Sequence, residues 1–326
     1  MIGRPWCDLG RQILRLSSID PHWTIPRICG LVGRDRHDVL DFITFIINCG
    51  APVILCGDQL EFVRAIESYD KDCLYEHLSL TERTLKIFWC LDSTNQYCLD
   101  QPRSSQLEFC LSESQSAGRG RYSKQWTSLF SAGVFLSFRS VFSQVDRLHC
   151  FSQLLSLVLV DAMKRRYPLL DFAIKWPNDI LLFGKKVMGI LVETCVEPDQ
   201  TILVAGIGCN LNSNQLNQSQ PICGLDEFVA DVNKTEFVAL LMSCCRRAVD
   251  MFKHRSFAFF ADDYDACHAF HGASVVYEEN DSIFRGTVLG VHVDGALVVL
   301  DQLGDAHYLY SDRISRLRLD EFSVTS

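Results

Sequence analysis

Residues 175–193 read KWPNDILLFGKKVMGILVE, a segment in which charged residues flank two apolar runs. Gly184 stands between the runs and suits the tight turn of a β-hairpin. Such a hairpin brings Lys186 back beside the segment from Lys175 to Asp179, so that two lysines and one aspartate converge. Lysine neutralises a phosphoryl or carboxylate oxygen as negative charge builds there, and aspartate can hold magnesium. The segment therefore predicts a site for nucleotidyl transfer. The alternative is a solvated hairpin that carries ordinary surface lysines.

A second cationic stretch, SAGRGRYSKQW, covers residues 116–126. Its glycines and cations are Gly118, Arg119, Gly120, Arg121 and Lys124. The glycines let the backbone pass close to a ligand and leave N–H groups free, while arginine and lysine supply donors suited to carboxylate or phosphate. The stretch predicts a loop that closes over an anion. The alternative is a solvated basic turn, since short basic glycine loops are common.

The composition is that of a globular protein with two or three domains, since 48% of the 326 residues are hydrophobic and 22% are charged. A formal net charge of -9 excludes a global positive field for nucleic acid or anionic lipid, so any polyanion site must be local. The 15 cysteines are odd in number and form no C-x-x-C pair, which indicates reduced thiols. Without a signal-peptide core or an apolar run near the roughly 18 residues of a membrane span, we expect a cytoplasmic protein that does not enter a membrane.

Residues 21–68 have the outline of a separate module. Thr24 is a good N-cap for a first helix, and Asp35 is a good N-cap for a second helix over residues 36–49. Two short apolar runs about Gly57 then predict a hairpin. Helix, turn, helix and hairpin together predict a winged helix-turn-helix.

From residue 85 onward, short β-rich runs alternate with helical stretches, among them residues 147–165 and 234–254. This pattern predicts an α/β domain of catalytic size. Residues 272–317 alternate strands and turns, which predicts a small barrel. The predicted fold class is α+β, with domains over residues 1–80, 81–270 and 271–326.

Five motifs follow one another along the chain: residues 92–96 (DSTNQ), Gln115 ahead of GRGR, residues 175–179 (KWPND), residues 185–193 (KKVMGILVE) and residues 206–211 (GIGCNL). In order and spacing this set resembles the biotin-protein ligases over residues 85–317. With the winged-helix outline before it, the whole chain is similar to the bacterial bifunctional kind, which is both ligase and biotin operon repressor. The resemblance implies a mixed α/β, class II synthetase-like central domain and an SH3-like C-terminal β-barrel.

The resemblance also implies a set of site residues. Those that match biotin-binding positions are Ser93, Thr94, Asn95 and Gln115. Those that match the loop over biotin and the adenylate are Gly118, Arg119, Gly120 and Arg121, with Trp126 closing the loop. Those that complete the substrate site are Lys175, Asn178, Lys186, Gly189 and Asn210, with Lys186 and Arg121 as catalytic residues and Asp179 as the metal ligand. A satisfied turn is the alternative for residues 93–95, and a core position is the alternative for Trp126.

The implied reaction has two steps. The carboxylate of biotin attacks the α-phosphate of ATP to give biotinyl-5'-adenylate and pyrophosphate, with Mg2+ offsetting the phosphate charge. A lysine of the biotin carboxyl carrier protein of acetyl-CoA carboxylase then displaces AMP. The resemblance further implies a homodimer in which central sheets pair edge to edge when ligand orders the loops.

The chain departs from the family pattern at four positions. Many members have glycine and arginine where this chain has Ser123 and Lys124, a proline at Leu129 and an aliphatic residue at Cys209. Losing a glycine restricts the backbone and lysine lacks the bidentate fork of arginine, so we expect activity with altered loop closure. Cysteine packs as a small hydrophobe, so the change at Cys209 should matter little.

Three other functions compete with this interpretation. A lipoate-protein ligase would run the same acyl-adenylate chemistry, but lipoate has no ureido group for the polar residues 93–95 and Gln115. A biotin-sensing repressor with little catalysis would need a basic recognition helix and a damaged lysine hairpin. An interaction protein that keeps the motifs as remnants is disfavoured by the intact KWPND and Lys186.

The N-terminal module is acidic, with eight lysines and arginines against eleven aspartates and glutamates in residues 1–80. A DNA-binding domain should carry net positive charge in this region. The recognition helix also offers Phe42 and Phe45 at predicted outer positions instead of donors for bases or phosphates. We therefore expect a winged helix whose DNA affinity is weakened or lost, retained for folding or for contact with another protein.

Overall fold

The computed structural model describes residues 4–5, 7–102, 104–142, 148–212 and 221–320. Its α-helices are α1 (Asp8–Leu16), α2 (Ile25–Val32), α3 (Arg36–Asn48), α4 (Lys71–Leu78), α5 (Thr94–Leu99), α6 (Phe151–Arg166), α7 (Lys234–His254) and α8 (Ala261–Cys267). Its strands are β1 (Arg4–Pro5), β2 (His22–Thr24), β3 (Val53–Cys56), β4 (Gln59–Phe62), β5 (Leu85–Cys90), β6 (Phe109–Ser112), β7 (Gly133–Phe142), β8 (Phe172–Lys175), β9 (Asp179–Leu182), β10 (Lys185–Val196), β11 (Thr201–Asn210), β12 (Ser274–Glu279), β13 (Ser282–Val291), β14 (Leu297–Leu300), β15 (Ala306–Leu309) and β16 (Ile314–Leu319).

The chain divides into two compact units. The first comprises Met1–Ser140, Val204–Gln218 and Gly224–Met242, and the second comprises Val141–Leu203, Ser219–Cys223 and Ser243–Ser326. In the part of the chain that the structure describes, no helix is long and apolar enough to cross a membrane.

In the first unit, local capping sets the start of α2 and α3. The Thr24 hydroxyl accepts a hydrogen bond from the Arg27 N–H at 3.4 Å, and the Asp35 carboxylate accepts one from the Asp38 N–H at 2.9 Å. Gly33 follows α2 with a φ of +63°, a left-handed conformation that glycine adopts without strain. Both predicted N-caps are therefore confirmed.

The predicted hairpin of the N-terminal module is also confirmed. Strand β3 pairs antiparallel with β4, from Val53 opposite Phe62 to Cys56 opposite Gln59. Strand β2 joins the other edge of β4, which gives a three-stranded sheet in the order β2-β4-β3. One buried cluster unites this sheet with α1, α2 and α3, so that the module has an apolar core.

The prediction that Phe42 and Phe45 lie on the outer face of α3 is wrong. Both rings are buried, with exposures of 0% and 3%. Phe42 meets Trp89 of β5 edge-to-face with 5.3 Å between ring centroids, and a Cβ built on Gly10 would lie 2.7 Å from the Phe42 ring. The physical reason is that α1 and β5 pack on this face of α3. The helix sequence alone predicts the same face to be exposed to solvent.

The first unit also contains the strands β1-β5-β6-β7-β11, in that order. Strand β5 runs parallel to β6 and antiparallel to β1, and β6 runs antiparallel to β7. Beyond the end of β5, isolated bridges join Leu91 to Gln115 and Gln115 to Ser128. The chain segments that follow β5 and β6 are thereby held side by side.

A buried ion pair lies in the same unit. The Lys234 ammonium at the start of α7 contacts the Glu113 carboxylate just after β6, and their side chains are 3% and 0% exposed. The ammonium also lies 4.3 Å from the ring centroid of Tyr69, while the Glu67 carboxylate accepts the Lys234 backbone N–H at 3.2 Å. Burial raises the pKa of the Glu113 carboxyl, and the charge of Lys234 opposes that rise.

The second unit contains the predicted lysine hairpin. Strand β8 pairs antiparallel with β9, and β9 pairs antiparallel with β10. The turn between β9 and β10 contains Gly184 at a φ of +76°, as the sequence predicts for a tight turn. The two hairpins place consecutive segments of the KWPND region next to the lysines of β10.

The C-terminal strands form a five-stranded antiparallel sheet in the order β15-β14-β13-β12-β16. Strand β16, which extends past the predicted region, pairs from Val275 opposite Leu319. The turn after β13 packs on α6, where the Gln153 amide donates to the Gly295 carbonyl at 3.0 Å. The sequence over residues 212–220 is polar and predicts a surface loop. Only residue 212 of this stretch lies within the described residues.

Candidate functional site

The motif DSTNQ forms the start of α5 and meets Gln115. The Ser93 hydroxyl caps the helix by accepting the Gln96 N–H at 3.4 Å. The Thr94 N–H and hydroxyl both donate to the Gln115 carbonyl, at 2.8 and 3.1 Å, and the Gln115 amide donates to the Ser128 hydroxyl at 2.9 Å. The structure thus brings two predicted polar residues, Thr94 and Gln115, into one hydrogen-bonded group, with Ser93 beside them at the helix cap. We call Ser93, Thr94, Asn95 and Gln115 the polar cluster.

Ser137 supports the polar cluster and was missed from the sequence. Its buried hydroxyl on β7 lies 2.7 Å from Thr94 Oγ1 and 2.6 Å from Asn95 Oδ1. A Cβ built on Gly206 of β11 would clash with the Asn95 amide, so this strand passes directly against the cluster. The available signal was a single serine within the apolar run GVFLSF of β7.

The cationic stretch folds back on itself as a narrow loop. The Trp126 N–H donates to the Gly118 carbonyl at 2.9 Å, and the Gly120 N–H donates to the Lys124 carbonyl at 2.7 Å. A Cβ on Gly118 would lie 2.7 Å from the Ser128 hydroxyl, and one on Gly208 would clash with the Trp126 indole. Both glycines therefore let the loop and the β11 backbone approach more closely than a side chain permits.

The predicted cations of this loop differ in exposure. Arg119 is exposed, whereas Arg121 is half-buried and its guanidinium lies 5.0 Å from the ring centroid of Tyr122. Asn210 is buried at the end of β11. Just beyond it the Asn212 amide donates to the Asp226 carboxylate at 2.7 Å, which fixes the chain after the strand.

Two loop residues adopt a conformation that favours glycine, since Tyr122 and Ser123 have φ values of +54° and +56°. We expect Ser123→Gly to stabilise the loop by about 0.5 to 1 kcal/mol, because the left-handed penalty for a side chain outweighs the added freedom of the unfolded chain. Hydrogen exchange of the amides of residues 119–125 should slow. The control Ser18→Gly, in the turn after α1 where φ is not positive, should not stabilise the protein; faster exchange in Ser123→Gly would contradict the prediction.

The lysine hairpin brings Lys186 and Asp179 together as predicted. Lys186 Nζ lies 2.7 Å from Asp179 Oδ1, and the side chains are only 15% and 19% exposed. Gly189 is buried directly opposite Asp179 in the β9–β10 pair. Lys175 is the Cα partner of Asp179 across β8 and β9, and its ammonium lies 5.8 Å from the ring centroid of Phe270. Both lysines thus belong to strands that flank β9.

Asn178 forms hydrogen bonds that join the KWPND segment to β10. Its side-chain amide donates to the Ile190 backbone carbonyl, and its backbone carbonyl accepts the Ile190 N–H at 3.0 Å. The residue thus binds the KWPND segment to β10. Among the described residues, no group of three or more His, Cys, Asp or Glu side chains could hold a metal ion.

His268 lies against the KWPND segment and was also missed from the sequence. Its Nε2 accepts the backbone N–H of Trp176 at 3.3 Å, and the side chain is buried. Burial, together with the nearby His271, lowers the pKa of His268 to about 4. The imidazole is therefore neutral near pH 7, as an acceptor at Nε2 must be.

The lowered pKa of His268 predicts an acid-sensitive contribution to folding. Because the unfolded chain binds this proton near pH 6.5 and the folded chain binds it only near pH 4, stability falls as the pH falls between those values. From pH 7 to pH 5 the loss due to this residue should be about 2 kcal/mol. Urea unfolding of wild type and His268→Gln at both pH values measures it; an equal pH dependence in the two proteins would contradict the assignment.

The candidate residues fall into two groups. The polar cluster, the glycine-rich loop with Trp126, and Asn210 belong to the first unit, whereas Lys175, Asn178, Asp179, Lys186 and Gly189 belong to the second. The first group offers neutral donors and acceptors beside a cationic loop, and the second offers lysines beside a carboxylate. The first group suits a neutral polar ligand group, and the second suits an anionic one.

Comparison with known proteins finds similarity to biotin and lipoate ligases. The family model described as biotin/lipoate A/B protein ligase matches residues 87–212. The bifunctional ligase/repressor BirA of Escherichia coli K12 is 31% identical over 219 residues, which are 64% of this chain and 67% of that protein. A biotin–(acetyl-CoA-carboxylase) ligase of Paracoccus denitrificans is 30% identical over 224 residues, 65% of this chain and 92% of that protein.

A solved structure supports the fold assignment. The biotin protein ligase from Aquifex aeolicus in complex with biotin and ATP covers 73% of this chain and all of its own, 100%, with a TM-score of 0.63 and 24% identity. At that identity the likeness shows the mixed α/β fold of a biotin ligase. The chain therefore belongs to the biotin/lipoate A/B protein ligase family.

Proposed function

We propose that the chain is a biotin-protein ligase, which activates biotin with ATP and transfers it to a lysine of the biotin carboxyl carrier protein of acetyl-CoA carboxylase. The observation that carries the choice of biotin is the polar cluster, in which Thr94 donates to Gln115 and the Ser137 hydroxyl joins Thr94 to Asn95. A ureido ring presents one carbonyl acceptor and two N–H donors, so it needs neutral polar partners of this kind. The relatives named as biotin ligases support the same choice.

The first step forms a mixed anhydride. A carboxylate oxygen of biotin attacks the α-phosphorus of ATP, the bond to the β-phosphate oxygen breaks, and pyrophosphate leaves. Lys186 and Arg121 are the catalytic residues, because ammonium and guanidinium groups offset the charge that gathers on the α-phosphate. Lys175, Asn178, Gly189 and Asn210 complete the substrate site.

Magnesium is the proposed ion for this step. It binds proteins through one or two carboxylates and takes its other ligands from water and substrate phosphates, so the single carboxylate of Asp179 suits it. When bound, the ion would neutralise phosphate charge. The Lys186 ammonium lies 2.7 Å from the same carboxylate, so the hairpin holds the two groups together.

The second step transfers biotin. The carrier lysine attacks the carbonyl carbon of the anhydride, its bond to the phosphate oxygen breaks, and AMP leaves. Water competes as a nucleophile, so the reaction needs a cover over the adenylate. We assign that cover to the loop from Gly118 to Trp126, with Arg119, Gly120 and Arg121 facing the ligand when the loop closes.

The domain plan is part of the proposal. Helices α2 and α3 with the β3–β4 hairpin support a winged helix-turn-helix over residues 1–80, and the five-stranded C-terminal sheet supports an SH3-like barrel over residues 271–326. The synthetase-like catalytic domain then covers residues 81–270. We also propose that the ligand-bound protein forms a homodimer through the edge of its central sheet.

We propose further that DNA binding by the N-terminal module is weakened or lost. The module carries net negative charge, and the exposed positions of α3 include Asp41 as well as Arg36 and His37. A gel-shift titration at low salt with the chain's own promoter DNA, biotin and ATP should show no sequence-selective band. Tight selective binding would instead assign the repressor function.

The ligase proposal is tested by incubating the protein with biotin, ATP, magnesium and a carrier domain, followed by an avidin blot. We expect label on the carrier, and none on a carrier whose target lysine is replaced by arginine. Replacing biotin with lipoate should give no lipoylated carrier. Carrier modification by lipoate without modification by biotin would overturn the choice of substrate.

A further inference from the structure

The segment over residues 264–270 lies along the KWPND region within the second unit. The Ala269 N–H donates to the Ile174 carbonyl at 2.7 Å, and the Tyr264 hydroxyl donates to the Pro177 carbonyl at 3.4 Å. Between them, His268 Nε2 accepts the Trp176 N–H at 3.3 Å. Three successive contacts thus fix the backbone between β8 and β9.

The Trp176 N–H depends on His268 because of where it lies. Residue 176 stands after β8 ends and before β9 begins, so strand pairing does not supply its acceptor. The Trp176 side chain is 2% exposed, and its indole N–H donates to the Gly295 carbonyl at 3.1 Å. Since a buried backbone donor needs a partner, the imidazole is the group that fulfils this requirement.

The imidazole is itself held in one orientation. Its ring stacks on Tyr264 with 5.9 Å between centroids and meets Phe270 edge-to-face at 6.2 Å. The same Phe270 ring lies 5.8 Å below the Lys175 ammonium. His268 therefore contacts the backbone just before Asp179, and its ring neighbour Phe270 lies beside the side chain of Lys175.

We infer that His268 is a positioning residue of the ligase reaction: by accepting the Trp176 N–H it holds the KWPND backbone so that Asp179, and through it Lys186, are presented to the reacting phosphate. This inference rests on the proposed function for its effect on rate. His268 has no part in proton transfer here. Its role is geometric, and a displacement of about 1 Å at a reacting group can cost about 100-fold in rate.

The test compares His268→Gln with His268→Met. Both side chains are unbranched and of similar length and both lose the ring stacking, but only glutamine offers an oxygen near the former Nε2 position. We expect the methionine variant to lose about 10- to 100-fold in kcat for biotin-dependent pyrophosphate release, with KM for biotin nearly unchanged, and the glutamine variant to remain within about threefold of wild type. Equal losses in both variants, or no loss in either, would overturn the inference.

A second readout separates this inference from the proposed function. Amide hydrogen exchange at Trp176 should be fast in His268→Met and slow in wild type and His268→Gln, whatever the protein catalyses. Equal protection in all three proteins overturns the inference even if the ligase activity is confirmed. For wild type alone, 15N shifts of the His268 ring should show the proton on Nδ1, and a proton on Nε2 would contradict the hydrogen bond.

Discussion

Replacing Lys186 with methionine should lower kcat for biotinyl-5'-adenylate formation by about 100- to 1000-fold, as expected when a charge that stabilises a transition state is removed. The ammonium lies 2.7 Å from Asp179 and is mostly shielded from solvent, so its loss also removes the partner that holds the proposed magnesium ligand in place. Biotin-dependent pyrophosphate release under saturating ATP measures the effect.

Two variants sharpen the Lys186 prediction. Lys185→Met changes an exposed lysine of the same hairpin and should leave kcat within about twofold of wild type. Adding Asp179→Asn to Lys186→Met should lower kcat further, since Asp179 is the proposed magnesium ligand. If Lys186→Met keeps the wild-type rate while remaining folded, Lys186 is not a catalytic residue.

Replacing Lys234 with methionine should destabilise folding by about 3 to 5 kcal/mol, the usual effect of removing one partner from a buried ion pair. Glu113 has no exposed side-chain surface, and its second carboxylate oxygen has no hydrogen-bond partner among the described residues. Without the ammonium, the carboxylate must stay charged in an apolar site or take up a proton. Urea unfolding at pH 7 measures the loss.

The surface pair between Lys71 and Glu82 provides a matched control. Its charges are 2.7 Å apart, but the side chains are 29% and 73% exposed. Lys71→Met should therefore change the free energy of unfolding by less than about 1 kcal/mol. The double change Glu113→Gln with Lys234→Met should be closer to wild type than Lys234→Met alone, because no buried charge remains. A double variant less stable than the single one would show that the pair is not the main interaction.

Local patterns in the sequence predict much of this fold. The N-caps at Thr24 and Asp35, the turn at Gly184 and the full span of α7 depend on neighbouring residues, and the structure has each of them. Helix α5 was not predicted, because six residues are too few for a clear apolar period. The burial of Phe42 was also missed, since its partner Trp89 lies on a distant strand.

In the candidate site, too, the contacts between residues near in sequence were predicted and those between distant residues were not. The contact between Lys186 and Asp179 follows from one hairpin and was predicted from turn chemistry. Ser137 and His268 were missed because they reach the site across 43 and 92 residues of sequence. A serine within an apolar strand was a usable signal, whereas a histidine beside aromatic residues is more often a core residue than part of a site.

The most direct test of the proposed activity is native mass spectrometry of the protein after incubation with biotin, ATP and magnesium. We predict a complex whose added mass is that of biotinyl-5'-AMP, absent from Lys186→Met under the same conditions. Binding of unreacted biotin and ATP without the adenylate, or formation of a lipoyl-adenylate in preference to it when both acids are supplied, would contradict the account.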